Sequence, residues 1–141
     1  MPMETSVPYA TALLRISLGT MYLAHSIILK LMTFGLAGTA GYFASVGLPA
    51  WLAYVTFAAE AIGGALLVLG IQTRAVALML IPALAGAIIW VHGANGWVFT
   101  APGGGWEYPL YLIVLSIAQV MLGDGALALH PSRPLVAAQT A

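Results

Sequence analysis

Residues 51–70 form an apolar run broken only by Glu60, and the run is long enough to cross a lipid bilayer. A helix rises ~1.5 Å per residue, so about twenty apolar residues traverse the hydrocarbon core. An ionisable side chain at that depth costs a few kcal/mol or more unless it is paired or hydrated. Glu60 therefore needs a partner, and Arg15, inside the first apolar run, is the expected one.

Three further runs have comparable length, residues 9–29, 74–92 and 108–129, against 50–70 for the run around Glu60. Hydrophobic residues make up 62% of the chain and charged residues 6%. Soluble domains carry about 25% charged residues, which excludes that class. The expected fold is all-α: an integral membrane four-helix bundle, one domain over residues 1–141. Residues 37–46 of the first outer loop predict a short interfacial helix anchored by Tyr42 and Phe43.

The residues before the first run carry Glu4 and no Lys or Arg, and Arg15 interrupts the run itself, unlike a cleaved signal peptide. With no cysteine, disulfide, thiol-redox and thiolate-metal chemistry are excluded. Zero formal net charge gives no reason to expect a nucleic-acid partner. Arg15, Arg74 and Arg133 mark one end of the bundle and Lys30 the other, so the positive-inside rule predicts cytoplasmic termini.

In the first run Arg15, Gly19, Tyr22 and Ser26 follow one helical stripe, with His25 about a quarter-turn away. Pro49 opens the second run, and Gly63 and Gly64 follow Glu60 by one turn, where small residues allow close helix approach. Pro82 and Gly86 predict a kink in the third. Tyr108, Leu112, Leu115 and Gln119 predict the inward stripe of the fourth, and the tail beyond Pro131 is expected to fray.

Depth sorts the polar residues into two layers. Arg15 should lie about 9 Å above the inner boundary and Glu60 about 15 Å below the outer one, close enough for long side chains to meet. Arg15, Glu60 and Gln119, with Tyr22, make the first layer, read either as a structural ion pair or as a ligand or proton site. His25, Lys30, His92, Asn95, Trp106 and Glu107 make the second, at the outer face. There His25, His92 and Glu107 are candidate metal ligands, two histidines could hold a haem, and the trio could exchange protons with a redox ligand. Helix-end capping and an aromatic belt are the plainer readings. Metal and haem rank low, since no His-x-x-x-His or Glu-x-x-His pair fixes two ligands on one helix face.

Several motifs together resemble the DoxX family of small four-helix membrane proteins. They are Arg15-x-x-x-Gly19 with His25 and Lys30, Gly47-Leu48-Pro49, Glu60-x-x-Gly63-Gly64, and Leu69-Gly70 followed by Thr73-Arg74. His92-x-x-Asn95-Gly96-Trp97 and Gly104-Gly105-Trp106-Glu107-Tyr108 complete the set. The resemblance implies a bacterial inner-membrane protein linked to redox work, since such proteins include a thiosulfate:quinone oxidoreductase subunit and others tied to oxidative stress. The leading expectation is a membrane subunit or accessory of a redox system, itself catalytic or not, binding a quinone-like ligand over a floor of Arg15 and Glu60. The alternative is a structural or assembly subunit of a larger membrane complex. Expected partners are the lipid bilayer, other membrane subunits and further copies of the chain.

Overall fold

The computed structural model describes residues 3–135 and shows an all-helical chain with several apolar helices able to span a membrane. Helix α1, Met3–Leu23, runs on without a break into a π-helical segment, Ala24–Thr33. Then come α2 (Gly35–Ser45), α3 (Trp51–Leu69) and α4 (Thr73–Gly86), which continues as a π-helical turn, Ala87–His92. Helix α5 is Glu107–Leu122. Packing runs round a ring, α1 on α3, α3 on α4, α4 on α5 and α5 back on α1, with α2 over α3 and the π-helical end of α1.

Three apolar stretches are long enough to span: Ser6–Thr33, Trp51–Leu69 and Thr73–Asn95. The second matches its expected bounds because Pro49 precedes it and Gly70, at φ 70° and ψ 51°, ends it in a left-handed cap. The third passes through Pro82 and changes to π-helical geometry at Ala87, one residue after Gly86. The predicted interfacial helix is α2, with Tyr42 exposed.

The fourth differs from expectation. Helix α5 has 16 residues, about 24 Å, and stops at Leu122 instead of reaching 129. Gly123 and Gly125 take φ values of 88° and 69° on either side of Asp124, which no helix continues through. The chain then crosses the bundle end as a strap, residues 123–132. Ala126 N donates to Pro8 O, Leu129 N to Leu69 O and His130 N to Gly70 O, while Gln72 N donates to His130 O. The strap ties α1, the α3–α4 turn and α5 together. Ser132 belongs to this network; beyond residue 135 the expected frayed tail lies outside the described residues.

The core is Leu18, Tyr22, Leu67, Leu80, Leu84 and Leu112 with their smaller neighbours. Helices α1 and α3 meet through Gly19 and Gly64, each backed by the other's carbonyl oxygen. In lipid, hydrocarbon burial gives helices little reason to associate, so this backbone proximity carries much of the packing.

Candidate functional site

The stripe on α1 is buried along its whole length. Arg15 and Ser26 are fully enclosed, Tyr22 is 1% exposed and Gly19 is buried. The expected Arg15–Glu60 pair, however, does not form. Arg15 donates through Nε to Asp124 O (2.8 Å), through Nη1 to Leu67 O (2.8 Å) and Val68 O (2.9 Å), and through Nη2 to Ala126 O (2.9 Å). Four of its five N–H groups thus cap the last carbonyls of α3 and hold the strap, and the cation sits at the negative end of the α3 dipole. The physical reason is level: the guanidinium lies beside the end of α3, near Gly70, whereas Glu60 is more than two turns further along.

Glu60 is held instead by Lys30, with Nζ 2.6 Å from Oε2 and the two side chains 14% and 10% exposed. Lys30 lies in the π-helical segment, and Thr39 Oγ1 from α2 donates to the Lys30 carbonyl and fixes it from above. π-Helical turns are rare and concentrate at functional sites. This one carries His25, Ser26 and Lys30 together.

Gln119 is fully buried, but its Nε2 donates to Gly123 O at 2.6 Å, within its own helix end. The buried face of α5 is Pro109, Leu112, Ser116 and Gln119, so Tyr108, 45% exposed, and Leu115 lie at its edge instead of on it. Ser116 was not singled out from the sequence, although its spacing of four from Leu112 and three from Gln119 places it on that face. Asp124 was also missed, and Thr73 entered only as part of a family motif. Two glycines flanking a lone aspartate just after an apolar helix were the available signal.

Asp124 is 8% exposed. Its Oδ1 accepts from Thr73 N (3.1 Å) and Ser132 Oγ (3.1 Å), and Oδ2 from Ser132 N (2.8 Å). Burial alone pushes this carboxyl up, but the hydrogen bonds from Thr73 and Ser132 outweigh it and hold the group below its ordinary value. Arg74, on α4, donates to Val120 O and Met121 O at the end of α5.

At the opposite end the outer-face residues are each tied locally. His92 Nδ1 and Asn95 Nδ2 both donate to Gly104 O at 2.9 Å, closing the loop between α4 and α5. Glu107 Oε1 accepts from Phe99 N at 3.0 Å, and Trp106 meets Trp97 edge-on at 4.6 Å between ring centres. His25 Nδ1 lies 3.0 Å from Met21 O, and its ring lies nearly parallel to that of Tyr108, 6.4 Å away. Among the described residues no three His, Asp or Glu side chains converge as a metal site, so the His25–His92–Glu107 ligand set is not assembled.

Two grooves open on this side of the bundle. One, of about 480 Å³, lies on the α1–α5 seam between Ile16, Thr20, Met21, His25 and Tyr108. The other, about 340 Å³, lies on α5 and the loop before it, between Trp97, Phe99, Glu107, Tyr108 and Tyr111. Tyr108 lines both. Because a carbonyl only accepts, Nδ1 of His25 carries a ring proton, and in the neutral form of the ring Nε2 is left as an acceptor.

The sequence profile of the DoxX family matches residues 10–93. A Bacillus subtilis protein named "Putative oxidoreductase CatD" is 37% identical over 92% of this chain and 90% of its own length. An uncharacterised Haemophilus influenzae protein is 35% identical over 90% of this chain and 92% of its own. No solved structure matches. The matched residues take in all of α3, Arg15, Lys30, Glu60 and both histidines at the loop end, and the chain belongs to the DoxX family.

Proposed function

We propose that this membrane protein is a subunit or accessory of a redox system and holds a quinone-like ligand in the α1–α5 groove. The observation that carries this reading is His25, whose Nε2 is an acceptor at a lipid-facing groove with a near-parallel aromatic ring beside it. A quinol hydroxyl would donate to Nε2, its ring would extend the His25–Tyr108 stack, and an isoprenoid tail would follow the groove into lipid. Arg15 and Glu60 do not serve as the floor in this arrangement, because Arg15 holds the strap and Glu60 is paired with Lys30. The oxidoreductase name of the Bacillus relative supports the redox part of the reading. Arg74 and Arg133 at the strap end support a reading in which that end faces the cytoplasm of an inner-membrane protein.

The test is binding of a short-chain benzoquinol to the protein in quinone-free lipid nanodiscs. His25→Phe should weaken binding about tenfold, the loss of one hydrogen bond to a buried group, while His92→Phe leaves it unchanged. Equal affinity of His25→Phe and wild type would overturn the reading.

A structural or assembly role is the second reading, favoured by the length of α5. At about 24 Å it falls short of a ~30 Å hydrocarbon core. A neighbouring subunit against α5 would relieve that mismatch. Stoichiometric co-purification of another membrane polypeptide, with the His25 variant still assembling, would favour it.

A further inference from the structure

Ser26 and Thr11 each satisfy a buried hydroxyl by donating to the carbonyl four residues back. Ser116, equally helical and 1% exposed, does not do so. Its Oγ is turned toward the Tyr22 hydroxyl across the α1–α5 interface, without reaching hydrogen-bond geometry. The Tyr22 hydroxyl is likewise buried and unpaired, and it lies within the electrostatic reach of Glu60. One turn along α5, Gln119 has spent Nε2 on Gly123 O, leaving Oε1 buried with no donor.

Each such orphan costs about 1–3 kcal/mol if it is left dry. Native interiors hold few of them, and seldom adjacent ones. Ser116 and Gln119 lie three residues apart on the buried face of α5 and Tyr22 faces Ser116 from α1, so the three amount to a single polar site in an otherwise apolar bundle. Their chemistry is complementary to one molecule: Gln119 Oε1 only accepts, while Tyr22 and Ser116 both donate and accept. A water molecule, which makes about three hydrogen bonds when buried, satisfies all of them. Larger polar ligands are disfavoured, since Leu18, Leu67, Leu80 and Leu112 fill the surrounding core.

We infer that the bundle interior is a water-binding site, with Tyr22, Ser116 and Gln119 as the ligating side chains and the Glu60–Lys30 pair beside it. The site is closed toward the strap end by Arg15 and the four carbonyls that it holds. No titratable side chain enters it from α4 between Arg74 and His92, or from α5 between Tyr111 and Leu122. Its role is to hydrate the Glu60–Lys30 pair at depth, a role independent of what occupies the α1–α5 groove.

The experiment is infrared difference spectroscopy of the protein in lipid vesicles, comparing D2O with D2O carrying oxygen-18. Expected is an oxygen-isotope-sensitive O–D stretch of non-bulk water that is lost in Ser116→Ala and in Tyr22→Phe. It should persist in Ser17→Ala, which alters a hydroxyl on the α1–α5 groove. Thermal unfolding adds a sign test: Ser116→Ala lowers the midpoint if the hydroxyl binds water and raises it if the hydroxyl is a dry orphan. No such band in wild type, a band indifferent to both substitutions, or a raised midpoint overturns the inference.

Discussion

Lys30 Nζ stands 2.6 Å from Glu60 Oε2, and this ion pair joins the π-helical end of α1 to the middle of α3. Both side chains are nearly enclosed, so neither charge is relieved by bulk water. Removing one partner strands the other in a low-dielectric site, a change that costs about 3–5 kcal/mol in buried pairs. Lys30→Met should therefore destabilise the protein by roughly that amount. The double variant Lys30→Met with Glu60→Gln should recover most of the loss. Thermal unfolding in nanodiscs measures both, and a double variant no better than the single one would show that the pair is not an isolated unit.

Arg15 carries a different prediction. Its planar guanidinium reaches four carbonyls belonging to α3 and to the strap, a geometry that an ammonium on a shorter fork cannot reproduce. Arg15→Lys keeps the charge yet should lose at least one of these bonds, each worth about 1.5–3 kcal/mol when the donor is charged. The strap should loosen first. Limited proteolysis after residue 123 is expected to accelerate in Arg15→Lys while cleavage of the loop between α4 and α5 stays unchanged; equal rates would remove Arg15 from its role as anchor.

How far the sequence could be read depended on where the punctuation lay. Pro49 and Gly70 bracket α3, so its ends were legible to a residue. The α1 stripe was legible because Arg15, Gly19, Tyr22 and Ser26 keep helical spacing across apolar sequence. The partner of Glu60 was not, because the depth estimate set the start of the first span at residue 9. The apolar helix instead covers Ser6–Thr33, 28 residues, which is longer than the bilayer needs. That length sets Arg15 beside the end of α3 and carries Lys30 round to Glu60. The strap was hidden for a related reason: residues 126–129 resume the apolar character of α5 and mask the break at Gly123-Asp124-Gly125, where positive φ ends the helix. The outer trio failed on side-chain direction, which helix-end position does not determine.

Acid should release the strap. The Asp124 carboxyl sits below its ordinary value in the folded protein, because bonds from Thr73 and Ser132 outweigh the opposing effect of burial. A lowered folded-state pKa means that the stabilisation is complete above the unfolded value, about 3.9, and is lost as pH falls through the folded one. Unfolding temperature should therefore drop below about pH 4 more steeply in wild type than in Asp124→Asn, which has no such proton to take up. Parallel profiles for the two proteins between pH 7 and pH 3 would show that Asp124 contributes no pH-linked stability.

The α1–α3 contact offers the sharpest steric test. A Cβ added at Gly19 would lie 2.7 Å from Gly64 O and 2.9 Å from Val68 N, both backbone atoms that no rotamer change can move. Gly19→Ala must push the helices apart, a strain of about 1–3 kcal/mol or more. The separation also withdraws Leu67 and Val68 from Arg15, so the strap bonds weaken with it. Gly41, in α2, has nothing within 4 Å of the same atom, and there alanine should gain about 1 kcal/mol from helix propensity alone. Unfolding midpoints of the two single variants, measured in the same lipid, should thus move in opposite directions. A Gly19→Ala protein as stable as wild type would mean that α1 and α3 do not meet through these two glycines.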